Sequence, residues 1–298
     1  MKASQKYQPQ ASSRSTWVDV RGLNYHVYEW GSHKQPPLFM LHGWGDSGAS
    51  FQFVVDELQK DWFVVAPDWR GFGRSRIRCT SYWFPDYVAD LHALLAHYQA
   101  EKPVHLLGHS MGANIAGLYA GTFPDRVASF VNVEGFGLVD SKPDNAPANY
   151  RKWIEQSQVM PEYSTYSSYK GLADRILKRS PNLSEDRALY VAQQWASEDE
   201  EGRIVLRADP AHKLPNAIQY RRAEAAACWE NVSAPVLLVA GEDSAFSDAL
   251  SPLIDASPGA RPFPNQQTAT ISGCGHMVHF EQPRRLAQAV ERFVSSVT

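Results

Sequence analysis

Two rhythms of hydrophobic positions alternate along the chain. Short apolar or alternating runs at residues 16–20, 23–30, 38–41, 62–66, 104–107, 127–133, 236–240 and 268–271 are bounded by Gly, Pro and Asp. Runs of that length and flanking suit strands, most of them buried on both faces. Between them, residues 51–58, 85–99, the stretch opening after Ser110 and 284–294 carry apolar residues three and four apart, the spacing of a helix with one buried stripe. In 85–99 that stripe is Tyr87, Leu91, Leu94, Leu95 and Tyr98. Arg21-Gly22 between the first two runs is a hairpin signal, so those strands predict an antiparallel sheet edge. Strands alternating with helices predict an α/β fold, a mostly parallel central sheet with helices on both faces.

The alternation fails over residues 138–229, where helical stretches with caps and breakers follow one another without a clear buried strand. Ser184-Glu185-Asp186-Arg187 ahead of Leu189, Tyr190 and Trp195 is one such helix start. The pattern predicts a helical insertion between two late strands, in a core made of 15–137 and 230–298. Residues 1–14 are polar and predict a loose tail.

Composition changes this picture by exclusion. The 298 residues are 44% hydrophobic and 20% charged with a formal net charge of −3, which leaves no basic footprint for nucleic acid or an anionic membrane and makes a small molecule the default partner. Cys79, Cys228 and Cys274 have neither CxxC nor Cys/His spacing, so neither a metal site nor a disulfide framework is expected, and a reducing cytosol is the expected compartment. No apolar run is long enough to span a membrane, and the N-terminus lacks the apolar core of a signal peptide. The dense loop from Pro67 to Ser75 has neither phosphate-cradle spacing and reads as a structural loop held by Asp68 and Arg70. No cofactor is implied. Nothing in the sequence sets the oligomeric state.

The candidate chemistry begins at Gly108-His109-Ser110-Met111-Gly112, between a buried strand and a helix. Glycine on both sides of a serine lets the backbone turn sharply and exposes the hydroxyl at a helix N-terminus, which marks Ser110 as a candidate nucleophile. A serine hydroxyl needs a base, and the base needs a carboxylate to fix its tautomer. His42-Gly43-Trp44-Gly45-Asp46 follows a neighbouring strand, where free N–H groups are required for an oxyanion. Trp44 N–H and Met111 N–H are the candidate donors.

LHGWGDS at 41–47, APDWRGFGRS at 66–75, GHSMGAN at 108–114 and GCGHMVHFEQP at 273–283 occur in the order found in the α/β-hydrolase superfamily, and the chain resembles that family over most of 20–137 and 230–298. The resemblance implies a capped serine hydrolase of the esterase kind, with the insertion over 138–229 as the cap and His276 as the base. His279 is the rival base in the same segment, with packing as its expected role. His42 and His109 read as supports; His26, His33, His92, His97 and His212 fall in polar or surface contexts. The acid stays open between two residues. The common family position is Ser244, with Asp243 one residue early, whereas Glu134 ends the strand where some branches carry theirs. The implied reaction is cleavage of a small apolar or aromatic carboxylic ester, thioester or lactone without a cofactor. A cofactor-free dioxygenase, a C–C hydrolase or a hydrolase-like ligand receptor could use the same residues.

Overall fold

A computed structural model describes residues 6–297. Its centre is an eight-stranded sheet in the order β1-β2-β4-β3-β5-β6-β9-β10. The strands are β1 (Arg14–Val20), β2 (Leu23–Trp30), β3 (Pro37–Leu41), β4 (Phe63–Pro67), β5 (Val104–His109), β6 (Val127–Val133), β9 (Val236–Gly241) and β10 (Gln266–Ile271). β1 and β2 form the expected antiparallel edge, β2 runs antiparallel to β4, and every pairing from β4 to β10 is parallel.

Alternation along the strands splits the core into two layers. Phe39, Leu41 and Leu106 face a layer completed by Leu91 and Leu95 of α2 (Phe84–Tyr98) and by Ile115 and Tyr119 of α3 (Met111–Thr122). Leu38, Met40 and Leu107 face the other, with Val54 of α1 (Gln52–Val55) and Leu286, Val290 and Phe293 of α10 (Pro283–Val297). A parallel sheet needs this cover on both faces.

Between β6 and β9 lie α4 (Ala146–Ser157), α5 (Tyr169–Arg179), α6 (Glu185–Trp195) and α7 (Arg222–Glu230). α5 and α6 bury Leu172, Ile176, Ala188 and Val191 together against Phe53 and Phe280 of the sheet domain. Two features differ from the sequence expectation. A short antiparallel hairpin, β7 (Ala196–Glu198) with β8 (Ile204–Leu206), stands in the segment expected to be free of strands. α7 straddles the expected boundary at 229 and packs into the sheet-domain core through Ala225 and Trp229. After β9, α8 (Ser247–Ile254) crosses to β10, and α9 (Val278–Glu281) precedes α10.

The tail expected over residues 1–14 is tied down from Tyr7 onward. Tyr7 packs edge-on against Phe53 at 4.9 Å and Tyr190 at 5.1 Å, its hydroxyl donates to Asp56, and the N–H groups of Gln10 and Ala11 donate to Asp56 Oδ1. An aromatic with a polar tip and a waiting carboxylate anchors a segment whose composition alone looks unstructured. Residues 1–5 lie outside the described residues. Among the described residues no helix is long and apolar enough to cross a membrane.

Candidate active site

Ser110 joins β5 to α3 with φ +51° and ψ −113°, a left-handed conformation that a residue with a Cβ adopts only when its surroundings enforce it. Glycine supplies the room. A Cβ at Gly108 would lie 2.5 Å from Ala113 Cα, and one at Gly112 would lie 2.1 Å from Leu41 O. Ser110 N–H donates to Val133 O at 2.8 Å, fixing the turn to β6, and the side chain is half-buried.

The loop after β3 lies directly against this turn. A Cβ at Gly43 would stand 2.8 Å from His109 Nδ1 and 3.3 Å from Ser110 Cβ, so glycine is what permits the approach. Trp44 follows with its indole exposed. Met111 is the first residue of α3, where a helix N–H has no intrahelical acceptor. Neither Trp44 N–H nor Met111 N–H donates to a group among the described residues.

His276 lies between β10 and α9, its Nδ1 2.9 Å from Glu134 Oε2. Glu134 directly follows β6 with φ +58° and is fully buried. Its Oε1 accepts from Gly241 N–H at 2.7 Å, and its Oε2 also accepts from Ser244 Oγ at 2.7 Å. A carboxylate met by three donors is held as an acceptor, so the proton of the histidine sits on Nδ1 and Nε2 keeps its lone pair. The His276 ring packs edge-on against Phe246 at 4.7 Å. Asp243, by contrast, is exposed, and its backbone N–H donates to Cys274 O at 3.0 Å. The structure therefore brings Glu134, and not Asp243, to His276. Ser244, at the position where the resemblance implies an acid, is instead a donor to Glu134.

Ser110, His276, Trp44 and His109 line one cavity of about 730 Å³, closed on the far side by the insertion through Tyr163, Tyr166, Leu172, Ile176 and Trp195. Of the insertion's other aromatics, Tyr169 and Tyr190 pack around the α5–α6 core, and Trp229 belongs to the sheet domain.

At the wall of the cavity is a node that the sequence reading missed. Asp46 Oδ1 accepts from Trp195 Nε1 at 2.7 Å and Ser47 N–H at 2.8 Å, while Oδ2 accepts from Ser50 Oγ at 2.9 Å and pairs with His279 Nε2 at 3.1 Å. Burial would raise this carboxyl, but its bond to His279 and that ring's charge outweigh burial and hold it below the usual range. A carboxylate beside the glycine-rich loop was the visible signal; a tryptophan 149 residues away completing it was not. His109 Nε2 donates to His276 O at 2.9 Å, and burial, then the nearby His279 and His276, push its pKa well below the ordinary imidazole value. It is a neutral support. Asp46, His109 and His279 bring ligand-type atoms within 4.8 Å of one another, but both Asp46 oxygens are already filled by donors, which makes the group a hydrogen-bond node.

His26, expected in a polar or surface context, is in a polar one but not at the surface: it is fully buried and its Nδ1 pairs with Asp68 at 3.0 Å. Asp68 also accepts from Gly48 and Arg74 N–H, each at 2.8 Å, and Arg70 grips Asp90 at 2.6 and 2.7 Å, so these two residues hold the loop after β4.

A family model described as alpha/beta hydrolase fold matches residues 36–283. The chain is 27% identical over 286 residues to a serine hydrolase-like protein of Danio rerio, covering 93% of this chain and 86% of the relative. It is 24% identical to 2-(acetamidomethylene)succinate hydrolase of Mesorhizobium japonicum, covering 94% of each. A solved structure of a hypothetical protein from Pseudomonas aeruginosa matches with a TM-score of 0.82 at 25% sequence identity, covering 95% of this chain and 98% of that one.

Proposed function

The chain belongs to the alpha/beta hydrolase fold family, and from that premise we propose that it is a serine hydrolase cleaving a small carboxylic ester, thioester or lactone through an acyl-enzyme. The observation that carries the reading is the Glu134–His276 bond at 2.9 Å beside a strained Ser110 in the same cavity.

Ser110 Oγ attacks the carbonyl carbon as His276 Nε2 takes its proton, and Glu134 stabilises the imidazolium through Nδ1–H. Trp44 N–H and Met111 N–H receive the developing oxyanion. His276 then returns the proton to the leaving group, and a water activated by the same nitrogen releases the acid. The insertion acts as a cap: Leu172, Ile176, Met277 and Phe280 give the cavity an apolar lining, suited to an apolar or aromatic acyl body.

The test is labelling by a fluorophosphonate alongside turnover of esters of graded acyl length. Wild-type protein labels and turns over; Ser110→Ala loses labelling and drops kcat by on the order of 10³-fold or more. Undiminished labelling of Ser110→Ala would assign the nucleophile elsewhere.

A further inference from the structure

The cavity that holds Ser110 has a charge balance unlike that of the whole chain. The protein carries 29 Lys and Arg against 32 Asp and Glu, yet the described residues lining this cavity include Arg175, Arg179 and Lys213 and, among carboxylates, Asp46 alone. Asp46 is buried and fully engaged by its own donors. The three cations have no such engagement. Among the described residues Arg175 and Arg179 have no ion-pair or hydrogen-bond partner, and Lys213 Nζ meets only the carbonyl of Glu162 at 2.6 Å and the ring of Tyr163 at 4.5 Å.

We propose, building on the hydrolase reading above, that the substrate carries an anionic end group, a carboxylate or phosphate, seated on Arg175, Arg179 and Lys213 while its ester or thioester carbonyl lies at Ser110. Leu172, Arg175, Ile176 and Arg179 follow the three-and-four spacing of one face of α5, and all four line the cavity. Two arginines one turn apart repel each other, a cost to the helix that a ligand anion turns into attraction. Tyr163 adds a polar donor at the same wall. Its hydroxyl is buried with no hydrogen-bond partner among the described residues, and burial, with the nearby Asp209 charge, raises its pKa to about 12, so it remains a neutral O–H. Behind the wall, Arg207 lies between the lining residues Leu206 and Ala208; its burial and the charges of Arg74 and Arg76 lower its pKa. Asp209, whose charge also acts on Tyr163, is taken up by the Tyr82 hydroxyl at 2.8 Å and by the Cys79 and Ala211 N–H groups at 3.3 and 3.0 Å. The apolar residues that line the same cavity are the place for the part of the substrate that joins its anionic end to the reacting carbonyl.

Arg175, Arg179 and Lys213 are exposed at the rim, so solvent screening limits their contribution and the expected preference is about tenfold. Two substrate pairs measure it. The first sets a para-nitrophenyl ester ending in a carboxylate against a neutral ester of matched acyl length, and the second sets an acyl-coenzyme A thioester, whose charge lies in phosphates, against the matching neutral N-acetylcysteamine thioester. The expected result is a kcat/KM ratio of about ten in favour of the anionic member of at least one pair, collapsing toward one in Arg175→Gln/Arg179→Gln and at high salt. Which pair responds tells carboxylate from phosphate. A second measurement does not need turnover: calorimetric binding of adipate and of pyrophosphate to Ser110→Ala protein, expected to weaken at least severalfold when the two arginines are replaced. Ratios near one in both pairs overturn the anion site while leaving the hydrolase intact. If no ester is turned over, binding that depends on the arginines sustains the anion site and sinks the hydrolase reading, and binding indifferent to them overturns both.

Discussion

Glu134 Oε2 meets His276 Nδ1 at 2.9 Å while Asp243 stands exposed one residue from Ser244, so amide replacement at the two positions has unequal consequences. Glu134→Gln keeps the shape but presents an N–H₂ where either the histidine or Gly241 N–H needs an acceptor. The imidazole is then driven toward the wrong tautomer, and kcat is expected to fall by on the order of 10⁴-fold. Asp243→Asn is expected to stay within about tenfold. Steady-state kinetics on one ester, with circular dichroism to confirm folding, decides between them; a larger loss in Asp243→Asn would reverse the assignment. The sequence could not choose, because β6 and β9 end at the same pocket and either strand end can reach the base. Ser244 was the legible clue, since a hydroxyl in the usual acid position cannot orient a histidine. It can, and here does, hold the carboxylate that would.

Trp195 closes α6 and donates from its indole to Asp46 at 2.7 Å, which ties the insertion to the glycine-rich loop that carries Trp44 N–H. Trp195→Phe keeps an aromatic ring in place while removing that donor and part of the indole's packing. A hydrogen bond to a charged group contributes roughly 1.5–3 kcal/mol, so the melting temperature is expected to fall, and kcat by about tenfold as the loop loses its fixed position. A fall in melting temperature with kcat intact would confine the contact to stability. Elements that the sequence disclosed well are those with one dominant determinant. β6 ends where the apolar run ends, and α2 follows its stripe within a residue. Those it hid depend on partners far along the chain. The helix expected over 51–58 is a 3-10 turn at Gly48–Phe51 followed by one α-turn, after which Asp56 serves Tyr7, Gln10 and Ala11 instead of continuing the helix. The hairpin β7–β8 was hidden because its turn, Asp199 to Arg203, is charged like a solvated loop; Asp199 Oδ1 organises it by accepting from Glu201 N–H at 3.1 Å and Arg203 N–H at 2.8 Å.

Acid sensitivity belongs to the molecule as a whole, because buried histidines couple both layers and the insertion to pH. Burial lowers the pKa of His42, against the opposing pull of Asp46 and Asp68, and pushes His109 well down. His212 is brought from 6.5 to about 4 by burial, stacked between Phe72 at 3.8 Å and Tyr82 at 3.5 Å. In the unfolded chain each of these rings takes up a proton near pH 6.5. Above that value both states are neutral and the three rings leave stability independent of pH. Below it the unfolded state binds more protons, so stability falls with pH, each ring contributing up to about 1.4 kcal/mol per pH unit until its folded value is reached. The Asp46 carboxyl acts in a lower window: held below its usual range, it contributes stability above about pH 4 that is lost on further acidification. Urea midpoints measured from pH 8 to 4.5 should therefore be flat to about 6.5 and then decline. His212→Phe, which keeps an aromatic ring in the stack, should remove about one proton's share of that slope between pH 6.5 and 4. A wild-type midpoint that stays level from pH 7 to 5 would mean that these rings do gain protons in the folded state, and that the packing around His212, where the insertion meets the loop after β4, opens in acid.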